Sequence, residues 1–225
     1  MFTGFYKDTI DFLWELKMNN NRPWYAENKE RCKKVLLQPM NELATSVFDS
    51  FSEEKPHYSM NVHVSRIYRD ARRLYGREPF KDHLWFSVFD ASKTRWEGMP
   101  EFWFELSVDS WSCGLGCYDG SGKTMERLRK RMISNAAPLI ELTQWLEGQD
   151  SLLLGGYDYK KMHQDCPIPE LAVWYRKKYF SIMHQEPVGP VITKKEFADL
   201  VMDYYRQLYP FYEYFYAIGK PDEEE

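Results

Sequence analysis

Residues 102–109 read Phe-Trp-Phe-Glu-Leu-Ser-Val-Asp, and this stretch decides the fold class. Phe102, Phe104, Leu106 and Val108 alternate with Trp103, Glu105, Ser107 and Asp109. A period of two is that of a strand with one buried face. Upstream, Met60, Val62 and Val64 alternate with Asn61, His63 and Ser65 in the same way, and Leu84 to Phe89 is a denser apolar run suited to burial on both faces. Downstream, Gly114 and Gly116 predict a bend or bulge, and Asp119 to Gly122 a turn. A helix carrying Met125, Leu128 and Met132 follows, and Pro138 opens another.

Both ends of the chain change to helical spacing. Phe12, Leu13 and Leu16 share a side, Asn19 to Asn21 break the pattern, and Pro23 suits the first turn of a second helix. Pro39 opens a third, with Met40, Leu43, Val47 and Phe51 inside. Near the C-terminus a short helix spans Pro169 to Lys178, and Tyr179 to His184 suits a strand. Thr193 and Glu196 form a capping box for a final helix with Phe197, Val201, Tyr204, Leu208, Phe211 and Phe215 inward. Pro210 is expected to kink or divide it. That stripe is under three heptads, so it reads as a packed core helix in preference to a dimer coiled coil. Helices, then strands, then helices predict an α+β fold with a central, mainly antiparallel sheet. The expected organisation is one domain over residues 1–219, with an acidic, disordered tail at 220–225.

Composition narrows the function classes. The 225 residues include 8 Trp, 16 Tyr and 14 Phe, which predicts hydrogen-bonded aromatics at the edges of the core. The net charge is -4, and the four carboxylates Asp222 to Glu225 account for it, so the body is neutral. A neutral body lacks the footprint of a general nucleic-acid binder. The four cysteines do not space as a disulfide framework, and no apolar leader or membrane-length run occurs; the cytoplasm is the expected compartment.

The motifs divide into weak and rich. Gly120-Ser121-Gly122-Lys123-Thr124 resembles the end of a phosphate-binding loop, but the glycine needed five residues before Gly122 is Cys117, so the segment reads as a turn capping a helix. Cys113 and Cys117 are spaced C-x3-C without a second ligand pair, and no metal or cofactor is expected. No nucleophile signature is present. Lys123, Arg127 and Arg131, at four-residue spacing, read as a solvated helix face. The rich segment is Arg66 to Lys81, with six cations against Asp70 and Glu78 and with Tyr68, Tyr75 and Phe80 interleaved. Crowded guanidinium groups on a loop call for anions between them, and their planar forks match phosphate or carboxylate. Arg69, Asp70, Arg72, Arg77 and Lys81, with Trp24 as an aromatic wall, are therefore the candidate ligand site. The leading expectation is a binding module for an anionic small molecule, a nucleic-acid backbone or an acidic peptide. The alternatives are an enzyme on a phosphorylated or carboxylated substrate, with Asp70 as base, and a purely structural ion-pair network.

The chain also resembles the bacterial and fungal family called Domain of Unknown Function 2461. The matching elements are Phe2-Thr-Gly-Phe5, Phe12-Leu13-Trp-Glu-Leu16, Asn19 to Asn21, Trp24-Tyr25 and Asn28-Lys29. They continue with Arg69-Asp70-Ala-Arg72-Arg73, Gly76-Arg77-Glu-Pro79-Phe80-Lys81, Gly114-Leu-Gly116-Cys-Tyr118, the arginine helix around Arg129 and Gly156-Tyr157-Asp158. Arg73, Leu74 and Gly76 replace the family's aromatic, serine and aspartate, which makes the loop more cationic. The resemblance runs to about Phe180 and implies an α+β fold; it carries no reaction.

Overall fold

A computed structural model describes residues 1–92, 97–119, 122–161 and 164–219. The N-terminal helices are α1 (Lys7–Met18), α2 (Arg22–Cys32) and α3 (Gln38–Glu54). The strands β1 (Met60–Val64), β2 (His83–Asp90), β3 (Glu97–Ser107) and β4 (Ser110–Asp119) follow, and then the helices α4 (Gly122–Ser134) and α5 (Ala136–Glu147). β5 (Leu153–Asp158), the one-turn α6 (Ala172–Tyr175), β6 (Lys177–Pro187) and α7 (Phe197–Gly219) complete the chain. The strands form an antiparallel sheet in the order β1-β2-β3-β4-β6-β5, so the fold is α+β as the periodicities predict. The acidic tail lies outside the described residues. The chain gathers into two compact units, one of residues 1–88, 103–113 and 185–203 and one of residues 89–102, 114–184 and 204 onward.

In the first unit, Phe197 is the hub. Its ring meets Trp111 edge-on at 4.9 Å and lies 5.8 Å from Phe104, 6.3 Å from Phe5 and 6.4 Å from Phe2. The N-terminal segment reaches it because Gly4, at φ +109°, lies against the Thr193 carbonyl, where a Cβ would collide. Phe5 N–H then donates to the Ile192 carbonyl at 2.9 Å. Arg31 of α2 braces α1: Nε donates to Asp8 at 3.0 Å and Nη1 to Glu15 at 2.7 Å. Pro39 opens no separate helix, because α2 runs through a π turn at Lys33–Leu37 into α3 without a break. Pro39 has no N–H for the Val35 carbonyl one turn back. The buried Thr9 hydroxyl donates to that carbonyl instead, at 2.6 Å.

In the second unit, Trp174 packs edge-on to Phe180 at 5.2 Å and lies 5.4 Å from Phe215. Its indole N–H donates to Thr143 at 2.8 Å, and Thr143 donates to the Leu139 carbonyl, the hydrogen-bonded aromatic edge that composition predicts. Gly114 and Gly116 mark no bend, for β4 is continuous through them. A Cβ at Gly114 would strike the Ile182 carbonyl of β6, and one at Gly116 would strike the Tyr118 ring, so both glycines serve close approach.

Four further local expectations need correction. The helix at 169–178 shortens to a 3-10 turn and α6, since β6 already begins at Lys177. Thr193 forms no capping box; its hydroxyl closes a 3-10 turn onto the Pro190 carbonyl at 2.8 Å, and α7 starts at Phe197. Pro210 does not divide α7. Arg127 and Arg131 are not a solvated face: they donate to the Gly219 and Ile218 carbonyls at 3.2 and 2.7 Å, at the negative end of the α7 dipole. Along α7, Val201, Leu208, Phe211 and Phe215 are buried within the chain, and Tyr205 is buried where Tyr204 was expected.

Thr9→Val removes the donor from Val35 and should cost about 1–3 kcal/mol in urea unfolding, with Thr9→Ser recovering most of it. Hydrogen bonds from Arg31 hold the Asp8 and Glu15 carboxyls below their usual values. Groups depressed in this way contribute stability above their unfolded values near ~4 and lose it as pH falls through the folded values. Arg31→Met should therefore flatten the loss of stability between neutral and strongly acidic pH, measured by denaturant midpoints at each pH.

Candidate functional site

The arginine loop lies between β1 and β2 and folds back on itself. Arg69 N–H donates to the Pro79 carbonyl at 2.9 Å and Lys81 N–H to the Ile67 carbonyl at 2.8 Å, with Tyr68 bridging Phe80. Phe80 is buried and stacks on Tyr25 at 4.3 Å. Asn20, in the connection between α1 and α2, binds both backbone groups of Phe80: it accepts from the N–H at 3.0 Å and donates to the carbonyl at 3.1 Å. Arg69 Nε donates to that same carbonyl at 2.9 Å, and its Nη2 lies 3.7 Å from Asp82. The asparagine motif and the arginine motif thus meet on one peptide.

The remaining cations of the loop also find partners in the chain. Arg72 binds Asp70 through Nε at 3.1 Å and Nη2 at 3.0 Å, a fork in which the arginine side chain stays 88% exposed. Asp70 also accepts from the Arg72 backbone N–H at 3.0 Å. Arg77 Nε donates to the Leu74 carbonyl at 3.3 Å, and Lys81 lies over the Trp85 ring at 5.5 Å. Trp24 packs on Phe12 at 5.8 Å.

A second cationic region occupies the second unit, and sequence reading passed over it. β5 pairs with β6 antiparallel, with Tyr157 opposite Tyr179 and a register shift between Tyr157 and Asp158. Asp158 takes Lys177 Nζ at 3.0 Å and Arg176 Nε at 2.9 Å. Two adjoining hollows flank this hairpin. One of about 670 Å³ is lined by Tyr157, Tyr159, Lys160, Lys161, Lys178 and Tyr179 beside Asp158. The other, of about 510 Å³, shares Tyr159 and Lys161 and adds Arg129, Lys130, Tyr175 and Gly122 at the start of α4. Arg129 is fixed: it donates to the Tyr175 and Lys177 carbonyls at 2.8 and 2.9 Å and lies 4.8 Å from the centre of the Tyr159 ring.

Lys130 pairs with Glu126 at 3.1 Å. Among the described residues, no carboxylate lies within ion-pair distance of Lys160, Lys161 or Lys178. The sequence signal was present as two short runs, Tyr157-Asp-Tyr-Lys-Lys161 and Arg176-Lys-Lys-Tyr179, which only the strand register brings together.

Gly120 and Ser121 of the glycine motif and His163 lie outside the described residues. Among the described residues, no group of three His, Cys, Asp or Glu side chains could hold a metal ion. Cys113 and Cys117 are buried in β4, and burial pushes the Cys113 thiol well above its ordinary range. No helix of the described residues is long and apolar enough to cross a membrane.

Asn20→Ala strips both partners from the buried Phe80 peptide and should cost about 2–3 kcal/mol in chemical denaturation. Arg72→Ala, at an exposed ion pair, should change stability by less than about 1 kcal/mol.

No curated protein matches the chain. A family model described as conserved hypothetical protein (DUF2461) matches residues 8–214. That span takes in the Asn20–Phe80–Arg69 brace and the β5–β6 hairpin alike, and the chain belongs to this family.

Proposed function

We propose that the protein is a cytoplasmic binding module for an anionic, phosphate-bearing ligand, held in the groove between the β5–β6 hairpin and α4. The observation that carries this reading is the set of ammonium groups of Lys160, Lys161 and Lys178, which have no carboxylate within ion-pair distance among the described residues. They line a hollow of about 670 Å³, large enough for a small-molecule ligand. Like charges held around a concavity focus a positive potential that an incoming anion relieves. Asp158, the carboxylate beside them, is already shared by Lys177 and Arg176. Four free cysteines, three of them buried, suit a reducing compartment.

The cations first expected to form the site are better read as structural. Arg69 serves Phe80 and Asp82, Arg72 serves Asp70, and Arg77 serves Leu74. With both its oxygens on Arg72, Asp70 is a poor general base, which weighs against the enzyme reading.

Calorimetric titration with inorganic tripolyphosphate tests this. Each ammonium–phosphate contact at the surface is worth about 1 kcal/mol. The double variant Lys161→Glu/Lys178→Glu should therefore bind about tenfold or more weakly, wild-type affinity should fall with added salt, and Arg72→Ala should bind normally. Absence of binding at low salt, or equal binding by the double variant, overturns the proposal.

A further inference from the structure

We infer that the anion is a short run of single-stranded nucleic acid, its phosphates against the lysines and its bases against the tyrosines, an assignment that rests on the anion-binding reading of the same groove. The first ground is a row of rings. Tyr157 of β5, Tyr179 of β6 and Tyr118 of β4 stand on neighbouring strands, with centroids 5.1 and 5.6 Å apart and planes inclined by 48° and 45°. Tyr157 leaves 66% of its surface open, which is unusual for an aromatic side chain in a chain that buries most of its phenylalanines. A free phosphate or a carboxylate ligand gains nothing from such rings, whereas every base has a face to lay on them.

The second ground is the way cations and rings alternate. Lys178 precedes Tyr179, and Lys160 and Lys161 follow Tyr157 and Tyr159, so each ring has an ammonium-bearing residue within three positions in sequence. Tyr159 belongs to both hollows and has the Arg129 guanidinium over its ring. A basic track with aromatic platforms is how proteins hold single strands without reading sequence. Burial and the nearby Tyr157 raise the Tyr179 phenol above its ordinary value, so that ring adds no negative charge at neutral pH.

The third ground is extent. The hollows of about 670 and 510 Å³ share Tyr159 and Lys161, and a third of about 290 Å³ continues past Tyr159 and Lys160 toward Gln164 and Arg176. A chain of hollows around shared residues suits several linked units better than one mononucleotide. The neutral body, in turn, suits a local contact with a few nucleotides and not a long duplex, whose bases would in any case be stacked away from the tyrosines.

The test is fluorescence anisotropy with a labelled oligothymidylate of about ten nucleotides, within the site sizes of single-strand grooves, run beside calorimetry with inorganic tripolyphosphate. Tyr157→Ala should weaken oligonucleotide binding by about 5- to 150-fold, the worth of one stacked base. It should leave tripolyphosphate binding within about twofold, and Tyr157→Phe should restore the oligonucleotide affinity. Lys161→Glu/Lys178→Glu should weaken both ligands. Tripolyphosphate binding with no effect of Tyr157→Ala on the oligonucleotide overturns the nucleic-acid assignment and leaves the anion site standing. So does equal affinity for a duplex, or displacement of the oligonucleotide by polyglutamate at equal charge. Failure of both ligands to bind overturns both readings. Circular dichroism of each variant guards against misfolding, and loss of oligonucleotide affinity in Tyr157→Phe, where ring and fold are both retained, also overturns the stacking assignment.

Discussion

An ammonium group nine-tenths buried needs a counter-charge, and for Lys177 that counter-charge is Asp158. Their 3.0 Å contact sits at the register shift of the β5–β6 pair, where the ladder changes step. Because Asp158 also takes Arg176, its carboxylate is spent on the residues that hold the hairpin together. Lys160, Lys161 and Lys178 are left without a carboxylate partner among the described residues. Gly156 makes the same point sterically: at φ +107° it lies so close to the Tyr179 carbonyl that a side chain would collide. The Gly156-Tyr157-Asp158 element therefore fixes the register, and the register aligns the tyrosines and concentrates the lysines.

The two cationic regions show why charge density in sequence is a poor guide to available charge. The loop from Arg66 to Lys81 is the denser, yet Arg69 is held by a carbonyl and Arg77 by another. Backbone acceptors cost a sequence nothing and leave no trace in it. The neutral amide of Asn20 then fastens the same Phe80 peptide from the helical side. Motifs this mutually dependent are explained by folding, and a family matched over residues 8–214 would keep them whatever its members bind.

What could be read in advance follows the range of the interaction. The period-two run at 102–109, the Asn21 cap with Pro23 behind it, and the buried face of α3 are local, and the structure carries each of them. Glycines 114 and 116 were misread because their reason lies with β6 and with an overlying ring, not with their own turn preference. Pro39 was misread because Thr9, on a different helix, supplies the hydroxyl that lets a helix pass through it. Arg127 and Arg131 were misread because the carbonyls they serve lie at the far end of the chain, on Ile218 and Gly219. The lysine groove was missed for the same reason: Tyr157 and Tyr179 are neighbours only through strand pairing.

The central claim is spatial, that the chain's available positive charge lies beside β5 and β6 and not after β1. Lysine acetylation read by mass spectrometry, with and without inorganic tripolyphosphate, addresses it directly. The account predicts slowed labelling at Lys160, Lys161 and Lys178 and no change at Lys81, which lies over Trp85 beside the arginine loop. Protection of Lys81 with the three groove lysines unaffected would contradict it.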